Sequence, residues 1–128
     1  NYLDPGGIFV FDFNTRYKYE TIGDSVIAEN REDCSFIWEN YYDPESGINE
    51  YDLTIFAREP GQELFARAQE VHLQRGYTLD EMKRFAALSG LAFVRAYDAD
   101  TLGQVTETSE RIYCVVQEKQ KETLCDAK

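Results

Sequence analysis

Positive charge is scarce in this chain. Thirteen lysines and arginines face 24 aspartates and glutamates, a net charge of −11. Such a surface repels a phosphate backbone, so nucleic acid is not an expected partner. Long apolar runs are missing: none approaches the roughly 20 residues that a membrane-crossing helix needs, so no membrane association is expected. Cysteine is sparse, and Cys34, Cys114 and Cys125 are odd in number and lack metal-ligand spacing. That fits reduced thiols in the cytoplasm rather than a disulfide framework, and no metal site is expected. His72 is the one histidine, Trp38 the one tryptophan and Met82 the one methionine. No Gly-x-Gly-x-x-Gly pattern opens a helix after a strand, so a glycine-rich phosphate cradle is absent. The chain starts at Asn1 without a visible signal peptide, and the expectation is that Asn1 marks a cut end.

What is present is an ordinary globular composition. Hydrophobic residues make up 43% and charged residues 29% of 128 positions, enough for one domain with its own core. The run Ile8-Phe9-Val10-Phe11-Asp12-Phe13 is apolar on both faces of a strand. That pattern predicts an inner strand of an α/β sheet, with helices on both sides. It follows the turn Pro5-Gly6-Gly7 and ends in Asp12 and Asn14. Strand carboxyl ends gather ligands in open parallel sheets, so Asp12 and Asn14 are candidate site residues. Asn14 and Thr15 can equally cap the next helix. That helix is predicted over Arg16–Ile22, stopped by Gly23-Asp24. Tyr17 and Tyr19 stand two apart, so at most one of them lines a pocket.

From residue 26 to 77 the period becomes two. Phe36, Trp38, Asn40 and Tyr42 point one way, Tyr51, Leu53, Ile55 and Ala57 alternate with Asp52, Thr54 and Phe56 in the next run, and Glu70, His72 and Gln74 form a polar row. Turns at Pro44-Glu45-Ser46-Gly47 and Pro60-Gly61 separate the runs, which predicts an antiparallel meander preceded by a short strand at 26–30. Thr78-Leu79-Asp80-Glu81 is a capping box, with Tyr77 and Met82 at staple positions and Ser89-Gly90 at the helix end. Residues 91–97 and 111–116 are predicted strands, joined by a polar loop, and the charged stretch from Glu118 is predicted to fray.

In this order, the stretches Leu3-Asp4-Pro5-Gly6-Gly7-Ile8-Phe9-Val10-Phe11-Asp12, Tyr77-Thr78-Leu79-Asp80-Glu81-Met82 and Arg111-Ile112-Tyr113-Cys114-Val115-Val116 resemble the C-terminal half of bacterial class I S-adenosylmethionine-dependent methyltransferases. The resemblance implies an α/β fragment: strands five, seven and six of a Rossmann-like sheet, an inserted antiparallel β-meander as substrate cap, and one capped helix. Residues 1–24 would be the central strand and short helix, 25–77 the meander, 78–118 the helix and last two strands, and 119–128 a polar tail, all in one domain. The family's first four strands and glycine-rich cofactor turn have no counterpart here. The resemblance therefore implies S-adenosylmethionine as cofactor of a parent protein, with none held tightly by this chain and no activity of the chain alone. It also implies a small-molecule methyl acceptor.

Methyl transfer needs alignment of nucleophile and methyl, and sometimes a base. His72 is the candidate base or orienting group, although its row with Glu70 and Gln74 reads equally as a solvated strand face. Asn14, Tyr19, Trp38, Glu70 and Arg75 are candidate substrate contacts, with Asp12 on the cofactor side. Trp38 could shield a cationic substrate or pack the meander. The unpaired edge of 8–13 is expected to allow self-association. The alternatives are a free-standing ligand-binding domain or a protein-interaction module of α+β type.

Overall fold

The structure, a computed structural model, describes residues 2–121. The element order is β1 (Ile8–Asn14), α1 (Arg16–Ile22), β2 (Ser25–Asn30), β3 (Cys34–Asp43), β4 (Ile48–Arg58), β5 (Phe65–Arg75), α2 (Leu79–Leu88), β6 (Leu91–Asp98) and β7 (Arg111–Glu118). The chain divides into two compact units, one of Asn1–Lys18 with Tyr77–Lys128 and the other of Tyr19–Gly76.

The first unit holds a three-stranded sheet in the order β1-β7-β6. β7 pairs antiparallel with both neighbours, so β1 and β6 run parallel. Alternation along β7 explains its central place: Ile112, Cys114 and Val116 are buried, and Phe13 and Ala86 complete the core cluster. Phe11, Met82, Leu91 and Phe93 pack against that cluster. Cys114 is wholly enclosed, and burial pushes its thiol pKa up, which leaves it an unreactive core residue. Cys34 is also a free thiol; Cys125 lies outside the described residues.

β1 stands at the margin of this sheet, and Ile8, Phe9 and Val10 are 52%, 44% and 57% exposed. The two-sided apolar pattern predicts an inner strand. Among the described residues only one side of β1 has a partner strand, which leaves the other edge open.

α2 begins where its side chains can close the open amides of its first turn. The Glu81 amide donates to Thr78 Oγ1 at 3.2 Å, and the Thr78 amide donates to Glu81 Oε2 at 2.9 Å. Tyr77 meets Phe85 edge to face, with ring centroids 5.9 Å apart. The helix stops at Gly90, whose φ of +77° suits a residue without a side chain. Thr78→Ala is expected to cost about 1 kcal/mol, read as a lower urea midpoint with an unchanged slope.

At Glu118 and the three residues after it the structure does not show the predicted fraying; the rest of that predicted tail, residues 122–128, lies outside the described residues. Glu118 ends β7 and is 1% exposed. Its carboxylate accepts the amides of Gln120 at 2.6 Å, Lys121 at 2.7 Å and Gly6 at 3.3 Å. Three N–H donors satisfy a charge that burial would otherwise strand, and one of them comes from the far end of the chain. Burial pushes this carboxyl pKa up, but the three amides together with the Lys121 charge outweigh it and hold the group below its ordinary 4.5. A carboxyl lowered on folding contributes stability above its unfolded pKa and loses it as pH falls through the folded value. The chain should therefore exceed Glu118→Gln in stability at neutral pH, and the gap should close as pH drops below 4.5. Urea midpoints of both proteins down that pH range check this; a gap independent of pH would contradict it.

The second unit is a four-stranded antiparallel sheet, β2-β3-β4-β5. Short loops join its strands, with Gly47 at φ +73° closing the β3–β4 hairpin. Tyr19 from α1 is buried, and its hydroxyl donates to Gln74 Oε1 at 3.0 Å. Beside it, Asn40 and Asn49 form a buried amide pair, and Asn40 Nδ2 also donates to the Gly23 carbonyl at 2.8 Å.

Candidate functional site

The cross-strand register of the second unit decides which predicted residues meet. Trp38 lies opposite Leu53, which lies opposite Glu70; Asn40 lies opposite Tyr51, which lies opposite His72. These residues share one face, because opposed residues in a pleated sheet point the same way. On that face the His72 ring stacks on Tyr51 with centroids 4.7 Å apart and planes 20° from parallel. Tyr51 in turn meets Trp38 at 4.7 Å. His72 Nε2 is 3.0 Å from Glu70 Oε2. With the Nε2–H tautomer donating to Glu70, Nδ1 is left as an acceptor, and the contact orients the half-exposed ring. The arrangement can accept a proton or a hydrogen bond from a bound amine or hydroxyl, beside aromatic surface that attracts cations. Next to it, Cys34, Phe36, Trp38, Leu53 and Ile55 line an apolar hollow of about 220 Å³.

Three of the predicted residues, His72, Glu70 and Trp38, are thus brought together. Tyr19 lies in the same unit, but its hydroxyl is engaged with Gln74. Arg75 is opposite Ile48, one residue out of phase with Gln74, and belongs to the other face of the sheet. That other face is acidic at Tyr41, where Glu39 first, then burial, Asp52, Glu50 and Asp24 raise the phenol pKa. Among the described residues no group of three or more His, Cys, Asp or Glu side chains is placed to hold a metal ion.

The remaining candidates sit in the first unit. Asp12 forms an ion pair with Arg111 across the β1–β7 ladder. Asn14 Oδ1 accepts from Lys18 Nζ at 3.2 Å, and Thr15 Oγ1 accepts the Lys18 amide at 3.2 Å, so Thr15 caps α1. Tyr51 is the contact that parity alone overlooked. Its signal was the hairpin register: a loop closing Asp43 onto Ile48 sets Tyr51 opposite Asn40, two positions from Trp38.

No helix among the described residues is long and apolar enough to cross a membrane. No family model matches the chain. Sequence relatives do exist. A protein named "Putative methyltransferase" from Geobacillus sp. (strain WCH70) is 30% identical over 115 residues, covering 88% of this chain and 46% of the relative. "Putative methyltransferase YqeM" of Bacillus subtilis (strain 168) is 28% identical over 112 residues, covering 87% and 44%. Among solved structures, an S-adenosylmethionine-dependent methyltransferase from Clostridium acetobutylicum superposes with a TM-score of 0.82 at 24% identity, over 93% of this chain and 47% of that one. The CcbJ methyltransferase from Streptomyces caelestis gives 0.70 at 15% identity, over 91% and 48%. The S-adenosylmethionine-bound CalS10, an amino pentose methyltransferase, gives 0.58 at 14% identity, over 91% and 46%. The chain spans about half the length of the relatives it matches. It is a homologue of proteins named as methyltransferases, and it carries the fold of about half of an S-adenosylmethionine-dependent methyltransferase.

Proposed function

We propose that the chain is the substrate-side part of a cytoplasmic S-adenosylmethionine-dependent methyltransferase acting on a small molecule. The observation that carries this reading is the superposition over 93% of the chain on one methyltransferase, joined to sequence relatives of the same name. In this reading β1, β7 and β6 are strands five, seven and six of the parent sheet, and β2–β5 are the substrate cap. His72, oriented by Glu70 and stacked on Tyr51, takes the proton from the acceptor or aligns its nucleophile. Trp38 supplies the wall beside it. A methyltransferase of an amino pentose among the fold neighbours supports an amine or hydroxyl acceptor.

In this reading the glycine-rich turn that would cradle the cofactor belongs to the parent's other half, since this sequence contains no such turn. The parent's other half would supply S-adenosylmethionine as methyl donor, and this chain alone would be inactive. Neither nucleic acid nor membrane is a partner in this reading. The open edge of β1 would pair with that other half, or with a second copy when the chain is alone. Calorimetric titration of the full-length protein with S-adenosylmethionine tests the reading. Saturable binding there, with no heat from the 128-residue chain, is the expected result. A full-length protein that does not bind the cofactor would defeat it.

A further inference from the structure

The first unit contains a second cavity, of about 240 Å³, at the end of the sheet where β1 leads into α1. Its walls mix polar and apolar groups. Most of the polar ones are already engaged. Thr15 Oγ1 donates to the Ser109 carbonyl at 2.7 Å, Ser109 Oγ donates to Asp98 Oδ2 at 2.6 Å, and Thr78 serves the α2 capping box. Arg16 and Glu107 differ. Both line the cavity, and neither side chain has a hydrogen bond or ion pair among the described residues. They do not pair with each other, although they carry opposite charges on one small cavity. Leu79, Val105 and Ile112 supply the apolar part of the wall.

A half-buried guanidinium and an exposed carboxylate lining one cavity, neither of them paired, are complementary to a molecule that carries both opposite charges. Arginine matches a carboxylate with paired donors, and a glutamate accepts from an ammonium. The volume holds a molecule of amino-acid size, below the range of drug-sized ligands. We infer that this cavity binds a free aliphatic α-amino acid, its carboxylate on Arg16, its ammonium on Glu107 and its side chain against Leu79, Val105 and Ile112. The site lies wholly within the first unit and does not depend on the methyltransferase reading.

The test is a titration of the ¹⁵N-labelled chain with L-leucine and L-methionine, followed by amide chemical shifts. Saturable shifts confined to residues 15–17, 78–79 and 105–109 are expected. 4-Methylpentanoate and isoamylamine keep the leucine skeleton but carry one charge each, and both should bind about tenfold or more weakly. Arg16→Gln and Glu107→Gln should each weaken leucine by about tenfold. Glu107→Gln should also erase the preference for leucine over 4-methylpentanoate. Retention of the parent's dispersed amide spectrum certifies that each variant is folded. No saturable shift in the folded parent chain would overturn the inference. So would equal binding of the singly charged analogues, or folded variants that bind leucine as the parent does.

Discussion

Asn49→Leu is expected to destabilise the second unit by about 3 kcal/mol, the sum of a broken hydrogen-bond pair and stranded polar groups. Asn40 and Asn49 are 4% and 1% exposed. Asn40 Nδ2 donates to Asn49 Oδ1 at 2.7 Å, and Asn49 Nδ2 returns the bond to Asn40 Oδ1 at 2.8 Å. Leucine at position 49 leaves the Asn40 oxygen and one of its N–H groups away from water with no partner. Each stranded group costs about 1–3 kcal/mol, whereas the lost bonds alone would cost less. The double variant Asn40→Leu/Asn49→Leu removes both ends of the pair. Its loss should fall short of the sum of the two single losses by more than about 1 kcal/mol. Urea unfolding of the four proteins, with hydrogen exchange of the β3 and β4 amides, measures both quantities. A single-variant loss below about 0.5 kcal/mol, the level of ordinary surface changes, would mean that water reaches the pair. The consequence extends to the candidate site. Asn40 is opposite Tyr51, and Tyr51 is opposite His72, so the amide pair anchors the strands on which the aromatic row is mounted.

What could be read from the residues, and what could not, divides by distance along the chain. The α2 cap is contained in four consecutive residues, and Thr78 and Glu81 make both bonds that their spacing predicts. Gly23, Gly47 and Gly90 mark ends and turns because their positive φ values are local requirements. Glu118 could not be read this way. Its charge marks a tail, while the donor that helps bury it, the Gly6 amide, is 112 residues away. The bulge between Phe93 and Arg95 leaves no local mark for the same reason: it is a mismatch with β7, not a property of β6. Parity placed Glu70 and His72 on one face and already held the evidence that Arg75 was on the other. It could not supply Tyr51, because the stacking depends on how two hairpins register against each other. Contacts within a few residues follow from propensity and spacing; contacts between strands follow from register, which is set by the loops.

Ile112→Ala is expected to be the most damaging single change in the first unit, at about 3 kcal/mol within a usual range of 2–5. Ile112 is 2% exposed and sits on the middle strand, opposite Phe13 of β1 and Asp98 of β6. Deleting its outer carbons removes contacts with a wall made of both neighbouring strands and α2. The ladder bonds on each side of β7 oppose collapse into the space, so most of the void should persist. Ile112→Val removes one methyl group and should cost about 1 kcal/mol. Urea midpoints with an unchanged slope would identify both losses as changes in stability rather than in compactness. Cys114 offers an independent readout, since it lies two residues along the same buried face and is fully enclosed. Its alkylation, located by peptide mass spectrometry so that Cys34 and Cys125 do not confuse it, should accelerate in Ile112→Ala and stay slow in Ile112→Val. If Cys114 remains equally protected in both while the midpoint barely moves, the strands have closed over the gap and β7 is not the rigid centre of its sheet.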